Sequence, residues 1–94
     1  MILAAGGIAF ALRYIRAASE GGVELGCPAA QAARIVAATM KGAAELVLQN
    51  NSHPEQEIDK VTTAGGITIK GLNEMEHAGF SSEVIRGLKA SFNK

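Results

Sequence analysis

Residues 62–68 read Thr-Thr-Ala-Gly-Gly-Ile-Thr and have the residue types of an anion site. Two adjacent glycines stand directly before a helical pattern, and the first N–H groups of a helix lack intrahelical partners. The aligned peptide dipoles place partial positive charge at the same point, so helix starts of this kind bind carboxylates and phosphates. Glycine also lets the backbone approach a ligand closely. We therefore interpret residues 62–68, the glycine segment, as a candidate carboxylate or phosphate cradle.

Three hydroxyl side chains lie in the glycine segment, those of Thr62, Thr63 and Thr68. A turn that enters a helix uses at most one hydroxyl, as an N-cap, whereas three hydroxyls around a positive concavity would add donors for an anion. We expect Thr63 to cap the helix or to bond the anion, and Thr68 to face a ligand instead of the core. A tight turn that only connects two helices is the alternative, and the residue types alone leave both interpretations open.

The rest of the chain offers little for catalysis or metal binding. Cys27 is the single cysteine, and without a supporting Cys/His spacing it is expected to be a buried thiol in a reducing compartment. His53 and His77 are expected at helix ends or on the surface. Glu74 and Glu76 are two residues apart, hence on different helix faces, and are no general acid/base pair. No Gly-x-Gly-x-x-Gly motif follows a strand, so no cofactor or metal is expected to bind this chain alone.

The composition favours a small protein that associates with itself. The 94 residues are 48% hydrophobic and carry nine basic and nine acidic side chains. Balanced charge and only one tyrosine and three phenylalanines argue against nucleic acid as a partner, while the apolar surplus predicts surface that a second subunit covers. The apolar residues 1–12 are followed by Arg13 and Arg16, well before the ~20 residues that a bilayer requires, so we expect a soluble, cytoplasmic protein with no membrane partner.

Apolar spacings of three and four predict an all-α fold, a helical bundle of about five helices. The first helix, over residues 2–20, is apolar on most sides and is expected to lie between other elements. Gly21, Gly22 and Gly26 should weaken and end it. The second helix should begin at Pro28 and end near Leu48. The other helices are predicted from the capping box at residues 52–55 to about Val61, from near Ile67 to about His77, and from Ser81 onward.

The second helix carries a broad stripe of apolar and small residues, which predicts closely approaching helix pairs. The stripe combines two neighbouring rows, and charged residues mark the opposite, solvated side. The first row is Ala32, Ile35, Thr39, Gly42 and Leu46, the adjoining row is Val36, Met40, Ala43 and Val47, and the charged residues are Arg34, Lys41 and Glu45.

Capping and turn residues set the remaining boundaries. Residues 52–55, Ser-His-Pro-Glu, have the S-x-x-E form of a capping box with proline in the first turn. Gly79 is expected to end the fourth helix, and Ser81 to cap the fifth, with Phe80 and Ile85 as a hydrophobic staple. The inward residues are expected to be Ile58 and Val61, then Ile69, Leu72 and Met75, then Ile85, Leu88 and Phe92, with Glu57, Asp59 and Lys60 in solvent.

Several runs of the chain resemble the C-terminal domain of pyrroline-5-carboxylate reductases. Residues 59–69, Asp-Lys-Val-Thr-Thr-Ala-Gly-Gly-Ile-Thr-Ile, are similar to the C-terminal signature of that family. The same family has counterparts of His53-Pro54, Gly71-Leu72 and Gly79-Phe80, and its preceding helices resemble Gly21-Gly22-Val23, Leu25-Gly26-Cys27-Pro28 and Lys41-Gly42-Ala43-Ala44. The resemblance covers essentially the whole chain.

The resemblance implies an enzyme that reduces 1-pyrroline-5-carboxylate to L-proline with NADPH or NADH, the last step of proline biosynthesis. In such enzymes an N-terminal Rossmann domain holds the cofactor. An all-helical C-terminal domain, resembling the 6-phosphogluconate dehydrogenase C-terminal domain, forms an intertwined dimer. Residues 1–94 are accordingly expected to be a single dimerisation and substrate-binding domain without the Rossmann domain, inactive alone, in a homodimer or higher homo-oligomer.

Carried over residue by residue, the resemblance assigns the substrate carboxylate to Thr63 and to the N–H groups of Gly65, Gly66, Ile67 and Thr68. The Thr68 hydroxyl would lie near the ring nitrogen, where it could orient the imine or relay its proton during hydride transfer. Thr68 is therefore the expected catalytic residue.

The chain departs from the family pattern in three respects. Proline is common where Ala64 stands, and a smaller or hydroxylated residue where Ile67 stands. The family usually starts Gly-Ser-Gly-Pro-Ala-Tyr where residues 5–10 here read Ala-Gly-Gly-Ile-Ala-Phe. The third departure is the missing cofactor domain.

A non-catalytic helical module that only self-associates is the alternative function.

Overall fold

The computed structural model describes residues 2–92, which form five α-helices. They are α1 (Ile2–Glu24), α2 (Ala29–Asn50), α3 (Pro54–Val61), α4 (Ile67–His77) and α5 (Phe80–Phe92). No strand occurs within residues 2–92, so the prediction of an all-α fold with about five helices is confirmed. None of these five helices is long and apolar enough to cross a membrane. Contacts divide the chain into two compact units, unit 1 (Met1–Glu45) and unit 2 (Leu46–Lys94).

In unit 1, helix α1 continues through the two glycines at which it was expected to end. It stops two residues after them because Gly26 takes a left-handed φ of +104°. The Gly26 N–H donates to the Val23 carbonyl at 3.0 Å and the Cys27 N–H to the Gly22 carbonyl at 2.9 Å, which is the Schellman arrangement. The prediction is therefore confirmed for Gly26 and wrong for Gly21 and Gly22, since a glycine inside a helix costs only ~1 kcal/mol and keeps its N–H donor.

Helices α1 and α2 approach each other where both carry small side chains. Ala32 of α2 is only 3% exposed, and a β-carbon placed on Gly22 of α1 would lie 3.5 Å from the Ala32 Cβ. Ser19 is also buried, and its hydroxyl donates to the Ile15 carbonyl at 2.6 Å, so this polar group is satisfied within its own helix. This approach is confined to the end of the helices beside their connection, and among the described residues α1 and α2 do not pack along their length, so the predicted tight pairing is not found within the single chain.

Most large apolar side chains of α1 nevertheless remain exposed. Leu3, Ile8 and Leu12 are 63%, 65% and 59% exposed. The expectation that α1 lies between other elements is therefore wrong for a single chain, because no other element of unit 1 covers the side of α1 that carries these residues. The predicted surplus of apolar surface is present.

The two rows of the α2 stripe have different surroundings. Val36 and Met40 of the adjoining row are half-buried. Ile35 of the first row is 58% exposed, and Thr39 of that row is also exposed, with its hydroxyl donating to the Ile35 carbonyl at 2.8 Å. Apart from Ala32, the first row therefore faces outward in the single chain.

In unit 2, the capping box at the start of α3 lies one residue later than the sequence pattern indicated. His53 is the N-cap: its Nδ1 accepts from the Glu55 N–H at 3.1 Å, and the Gln56 Oε1 accepts from the His53 N–H at 3.1 Å. This reciprocal pair is a capping box, with proline in the first turn as predicted. The prediction that Ser52 is the N-cap was wrong, because the Ser52 hydroxyl donates to a carboxylate instead.

Helix α4 has the predicted bounds, and Gly79 follows it with a φ of +98°. The Gly79 N–H donates to the Glu76 carbonyl at 2.9 Å, while the Gly79 carbonyl accepts an N–H from the first turn of α5. Helix α5 therefore starts at Phe80. The predicted N-cap at Ser81, with Phe80 and Ile85 as its staple, was wrong because Ser81 lies inside the helix and donates to Glu76 Oε1 at 2.6 Å.

The inward residues predicted for the last three helices are covered only in part. Those that are half-buried are Ile58, Ile69, Leu72 and Leu88. Those that the single chain leaves exposed, against the prediction, are Val61 (62%), Met75 (40%), Ile85 (57%) and Phe92 (75%). Helices α4 and α5 pack on each other, but elements of 8 to 13 residues cover little of one another's surface.

Candidate anion-binding site

The glycine segment forms a tight turn between α3 and α4. The Gly66 N–H donates to the Thr63 carbonyl at 3.0 Å and closes a four-residue turn. Gly65, at the third position, has a φ of +72°, whereas Ala64, at the second, has a negative φ. These angles define a type II turn, in which the third position requires a residue that tolerates positive φ. Gly65 meets that requirement.

The turn requires a glycine at position 66, because the backbone there passes close to Thr63. A β-carbon placed on Gly66 would lie 2.5 Å from the Thr63 Oγ1 and 3.1 Å from the Thr63 carbonyl oxygen. Any larger residue would have to displace at least the Thr63 side chain. Both glycines are therefore explained by the turn itself, and the tight-turn interpretation holds for this backbone.

The turn leaves backbone donors at the start of α4. Gly66 is the N-cap of α4, and its N–H donates to the Thr63 carbonyl. It is therefore not one of the donors that a carboxylate could use. The N–H groups of Gly65, Ile67 and Thr68 have no protein acceptor among the residues that the structure describes. No side chain caps α4, which leaves anion binding as the remaining role expected of Thr63.

Two threonine hydroxyls remain available at the segment. The Thr62 Oγ1 donates to the Ile58 carbonyl at 2.9 Å, on the last turn of α3. The expectation that three hydroxyls surround a concavity was therefore wrong, because this hydroxyl satisfies a helix-end carbonyl. Thr63 and Thr68 are both exposed, Thr63 beside Gly66 and Thr68 in the first turn of α4.

The glycine segment lies open at the surface of unit 2. Ala64 and Gly65 are exposed, and Ile67 at the first position of α4 is 85% exposed. Sites for small molecules usually bury most of the ligand. The donors could therefore bind a carboxylate, but a closed site would need a further element to cover it.

Sequence reasoning missed the most connected side chain of unit 2. Glu57 was expected in solvent, but it is only 8% exposed. Its Oε2 accepts hydrogen bonds from Ser52 Oγ at 2.5 Å, Asn50 Nδ2 at 3.2 Å and Lys60 Nζ at 3.4 Å. Three donors on one oxygen offset the cost of removing a carboxylate from water.

These donors also set the charge state of Glu57. The Ser52 hydrogen bond, followed by that of Asn50, holds the pKa of Glu57 below its ordinary value; partial burial opposes the effect, and Lys60 adds to it. The sequence contains one signal for this cluster, because short polar side chains at residues 50 and 52 flank an asparagine, a residue type that favours turns. In the structure Asn51 has a φ of 46°. The partner of those side chains could not be read from the sequence.

The remaining polar candidates lie where the sequence placed them. His53 caps α3 and His77 is the last residue of α4, and both are exposed. Cys27 is half-buried rather than buried and forms no disulfide, with its Sγ 3.7 Å from a neighbouring carbonyl oxygen. Glu74 and Glu76 are exposed. In the described part of the chain, no group of three His, Cys, Asp or Glu side chains could hold a metal ion.

Known proteins are similar in sequence to most of this chain. Residues 1–94 match the family model described as pyrroline-5-carboxylate reductase dimerisation. In Dictyostelium discoideum, pyrroline-5-carboxylate reductase 1 is 62% identical over 92 residues, 98% of this chain and 17% of the relative. Pyrroline-5-carboxylate reductase 2 of the same organism is 54% identical, over 94% of this chain and 29% of the relative. The pyrroline-5-carboxylate reductase of Synechocystis sp. is 39% identical, over 94% of this chain and 33% of the relative.

The chain thus spans between 17% and 33% of the length of these curated relatives. The matched part contains the glycine segment and every helix described above.

Proposed function

Because the chain belongs to the pyrroline-5-carboxylate reductase dimerisation family, we propose that it is the dimerisation and substrate-binding part of a reductase that converts 1-pyrroline-5-carboxylate to L-proline. The observation that carries the proposal is the family match over residues 1–94, which includes a helix start with uncommitted donors. The proposal treats residues 1–94 as a single domain of a longer enzyme that acts in the cytoplasm. Its ligand is a small carboxylate, with neither nucleic acid nor membrane as a partner.

In this proposal the residues of the glycine segment hold the substrate. The substrate carboxylate accepts hydrogen bonds from the N–H groups of Gly65, Ile67 and Thr68 and from the Thr63 hydroxyl. The positive end of the α4 dipole favours its negative charge. Gly66 contributes through its small size, which allows the approach of Thr63, and not through its N–H.

The Thr68 hydroxyl is the proposed catalytic group. From the first turn of α4 it lies near the ring nitrogen of a substrate whose carboxylate is bound at the N–H groups. There it orients the imine and relays the proton that the nitrogen gains while the ring carbon is reduced. Its exposure in the single chain leaves it accessible for this role.

A nicotinamide nucleotide, NADPH or NADH, supplies the hydride to the ring imine carbon when it is bound. Residues 2–92 include no strand that could lead into a Gly-x-Gly-x-x-Gly helix start, so they do not fit that group. The proposal therefore assigns the cofactor to a domain outside these 94 residues and expects no reductase activity from them alone.

The proposal includes a homodimer or higher homo-oligomer in which the domains intertwine. A groove of about 700 Å³ lies between α1 and α2 and is lined by Leu12, Ile15 and Val23 among others. Covering such apolar surface contributes ~25 cal/mol per Å². A second subunit or the cofactor domain would also supply the cover that the open glycine segment needs.

Ligand binding tests the substrate assignment. L-proline or another five-membered-ring carboxylate, added to the complete enzyme or to the ¹⁵N-labelled chain, should shift the amide resonances of Gly65, Ile67 and Thr68. Thr68→Val should weaken the response. Thr39→Val, at an exposed helical threonine of unit 1, should leave it unchanged. If the ligand shifts none of these amides in either protein, a helical module that only self-associates becomes the better assignment.

A side chain at Gly66 tests the same assignment in the complete enzyme. Gly66→Ala should displace the Thr63 hydroxyl and raise the KM for pyrroline-5-carboxylate more than the KM for NADPH. Gly71→Ala is the matched control, because a β-carbon there meets nothing within 4 Å. Equal increases in both KM values would count against a substrate role for the segment.

A further inference from the structure

Helix α3 is held at its start by a carboxylate from its own interior. Glu57 accepts hydrogen bonds from Asn50, the last residue of α2, and from Ser52 in the connection between the helices. Asn51 lies between these donors with a left-handed φ of 46°. The donors on either side of this sharp turn therefore converge on one oxygen, which fixes the direction in which α3 leaves residues 50–52.

Two further hydrogen bonds continue from α3 into the glycine segment. The Thr62 hydroxyl donates to the Ile58 carbonyl at 2.9 Å, which holds the residue after α3 against its last turn. The Gly66 N–H then donates to the Thr63 carbonyl at 3.0 Å and closes the type II turn before α4. Each change of chain direction from the end of α2 to the start of α4 thus has its own hydrogen bond.

We propose that Glu57 is a positioning residue for the glycine segment: its carboxylate fixes α3 against residues 50–52, and α3 fixes where the turn at residues 63–66 begins. Glu57 has its hydrogen bonds with Asn50, Ser52 and Lys60 and none with the described residues of the segment, so it acts through the rest of its own helix, residues 58–61. The positioning role rests on this geometry alone. Its consequence for catalysis rests on the proposed function.

The chemistry of the cluster suits a fixed joint. A buried carboxylate with three donors is strongly directional, and losing it would leave the Ser52 hydroxyl and the Asn50 amide without an acceptor. A carboxylate in the first half of a helix is also favoured by the helix dipole. The lowered pKa of Glu57 agrees with these contacts, since donors favour the ionised form.

The positioning role is tested by NMR on the full 94-residue chain. Glu57→Gln should shift the amide resonances of Gly65 and Thr68 as well as those of residues 50–52. The control is Glu55→Gln, which changes an exposed carboxylate in the same helix and should leave the segment unchanged. If Glu57→Gln prevents folding, Ser52→Ala removes the shortest hydrogen bond, keeps the charge, and should shift the same amides less. Changes confined to residues 50–61 in either variant would overturn the proposal.

The catalytic consequence is tested in the complete reductase. Glu57→Gln should raise the KM for pyrroline-5-carboxylate by about tenfold, because small misplacements of a binding group are costly, and should leave the KM for NADPH unchanged. Glu55→Gln should change neither constant. If the segment amides shift but the KM for pyrroline-5-carboxylate does not, the positioning role stands and the substrate role of the segment fails. A general loss of stability alone would affect both KM values or neither.

Discussion

Units 1 and 2 are held together in different ways. In unit 1 the two long helices meet at small residues beside their connection, where Gly22 of α1 lies close to Ala32 of α2. The hydroxyl of Ser19 in this unit donates to a carbonyl of its own helix. Unit 2 joins short helices through hydrogen bonds between side chains of different elements, most densely at Glu57. The first arrangement depends on shape, and the second on defined donor and acceptor pairs.

This difference indicates two tasks within one chain. Long helices with few polar links leave broad apolar surface, which suits association. Short helices with bonded corners place backbone groups accurately, which suits a site built from N–H donors. Substitutions on the exposed side of unit 1 should therefore change the oligomeric state, whereas substitutions in unit 2 should change local geometry and its dependence on pH.

The largest effect is expected from Leu12→Asp in unit 1. Leu12 is 59% exposed and lines the groove between α1 and α2. A charge buried at a hot spot should weaken the dimer by more than ~2 kcal/mol, or ~30-fold in Kd, which sedimentation at micromolar concentrations measures. Leu48→Asp is the matched control, since Leu48 is 79% exposed and belongs to unit 2. Equal losses of dimer affinity in Leu12→Asp and Leu48→Asp would show that association does not depend on unit 1 in particular. A wild-type chain that sediments as a monomer would contradict dimerisation.

A smaller effect is expected from Ala32→Leu, at the close approach of α1 and α2. Ala32 is 3% exposed, and a larger side chain there must push the helices apart. Overpacking of this kind lowers the free energy of unfolding by ~1–3 kcal/mol, measurable by denaturant titration. Ala30→Leu adds the same side chain at an exposed position of α2 and should be nearly neutral. If both variants have the same stability, shape does not hold unit 1 together.

The pH dependence of stability should trace to Glu57 in unit 2. Since its pKa is lower in the folded chain than in the unfolded chain, the ionised carboxylate contributes its full stability above the unfolded pKa. That contribution is lost as the pH falls through the folded pKa. The fall in Tm on acidification should therefore be shallower in Glu57→Gln than in the wild type, but unchanged in Glu55→Gln. An identical fall in all three proteins would show that the cluster contributes nothing.

Backbone signals made the helix bounds of unit 2 predictable from the sequence. Gly79 favours the position after a helix, and the end of α3 and both ends of α4 were predicted as observed. Pro54 was correctly predicted in the first turn of α3, but the N-cap of that helix was not. The choice between Ser52 and His53 as N-cap could not be predicted, because it depends on a side-chain acceptor five residues after Ser52. Ser52 finds that acceptor in Glu57, and His53 then caps the helix.

The candidate site was predicted in its location and only partly in its donors. Residue types showed a tight turn before a helix, and the turn is there. The loss of the Gly66 N–H and of the Thr62 hydroxyl could not be foreseen, because both follow from backbone angles that bring carbonyl groups within reach. The exposed side of α1 was misjudged for another reason, since an apolar sequence does not tell which chain will cover it.

The smallest expected effect is a gain of stability from Ala64→Pro in the type II turn of unit 2. Proline suits the second position of this turn, where Ala64 has a negative φ. The N–H that would be lost has no protein acceptor within residues 2–92. Proline should therefore raise the free energy of unfolding by ~0.4–1 kcal/mol, mainly by restricting the unfolded chain. Gly65→Ala should have the opposite sign, because its φ of +72° is unfavourable for alanine. A loss of stability in Ala64→Pro would show that residues 63–66 do not keep the type II turn in solution.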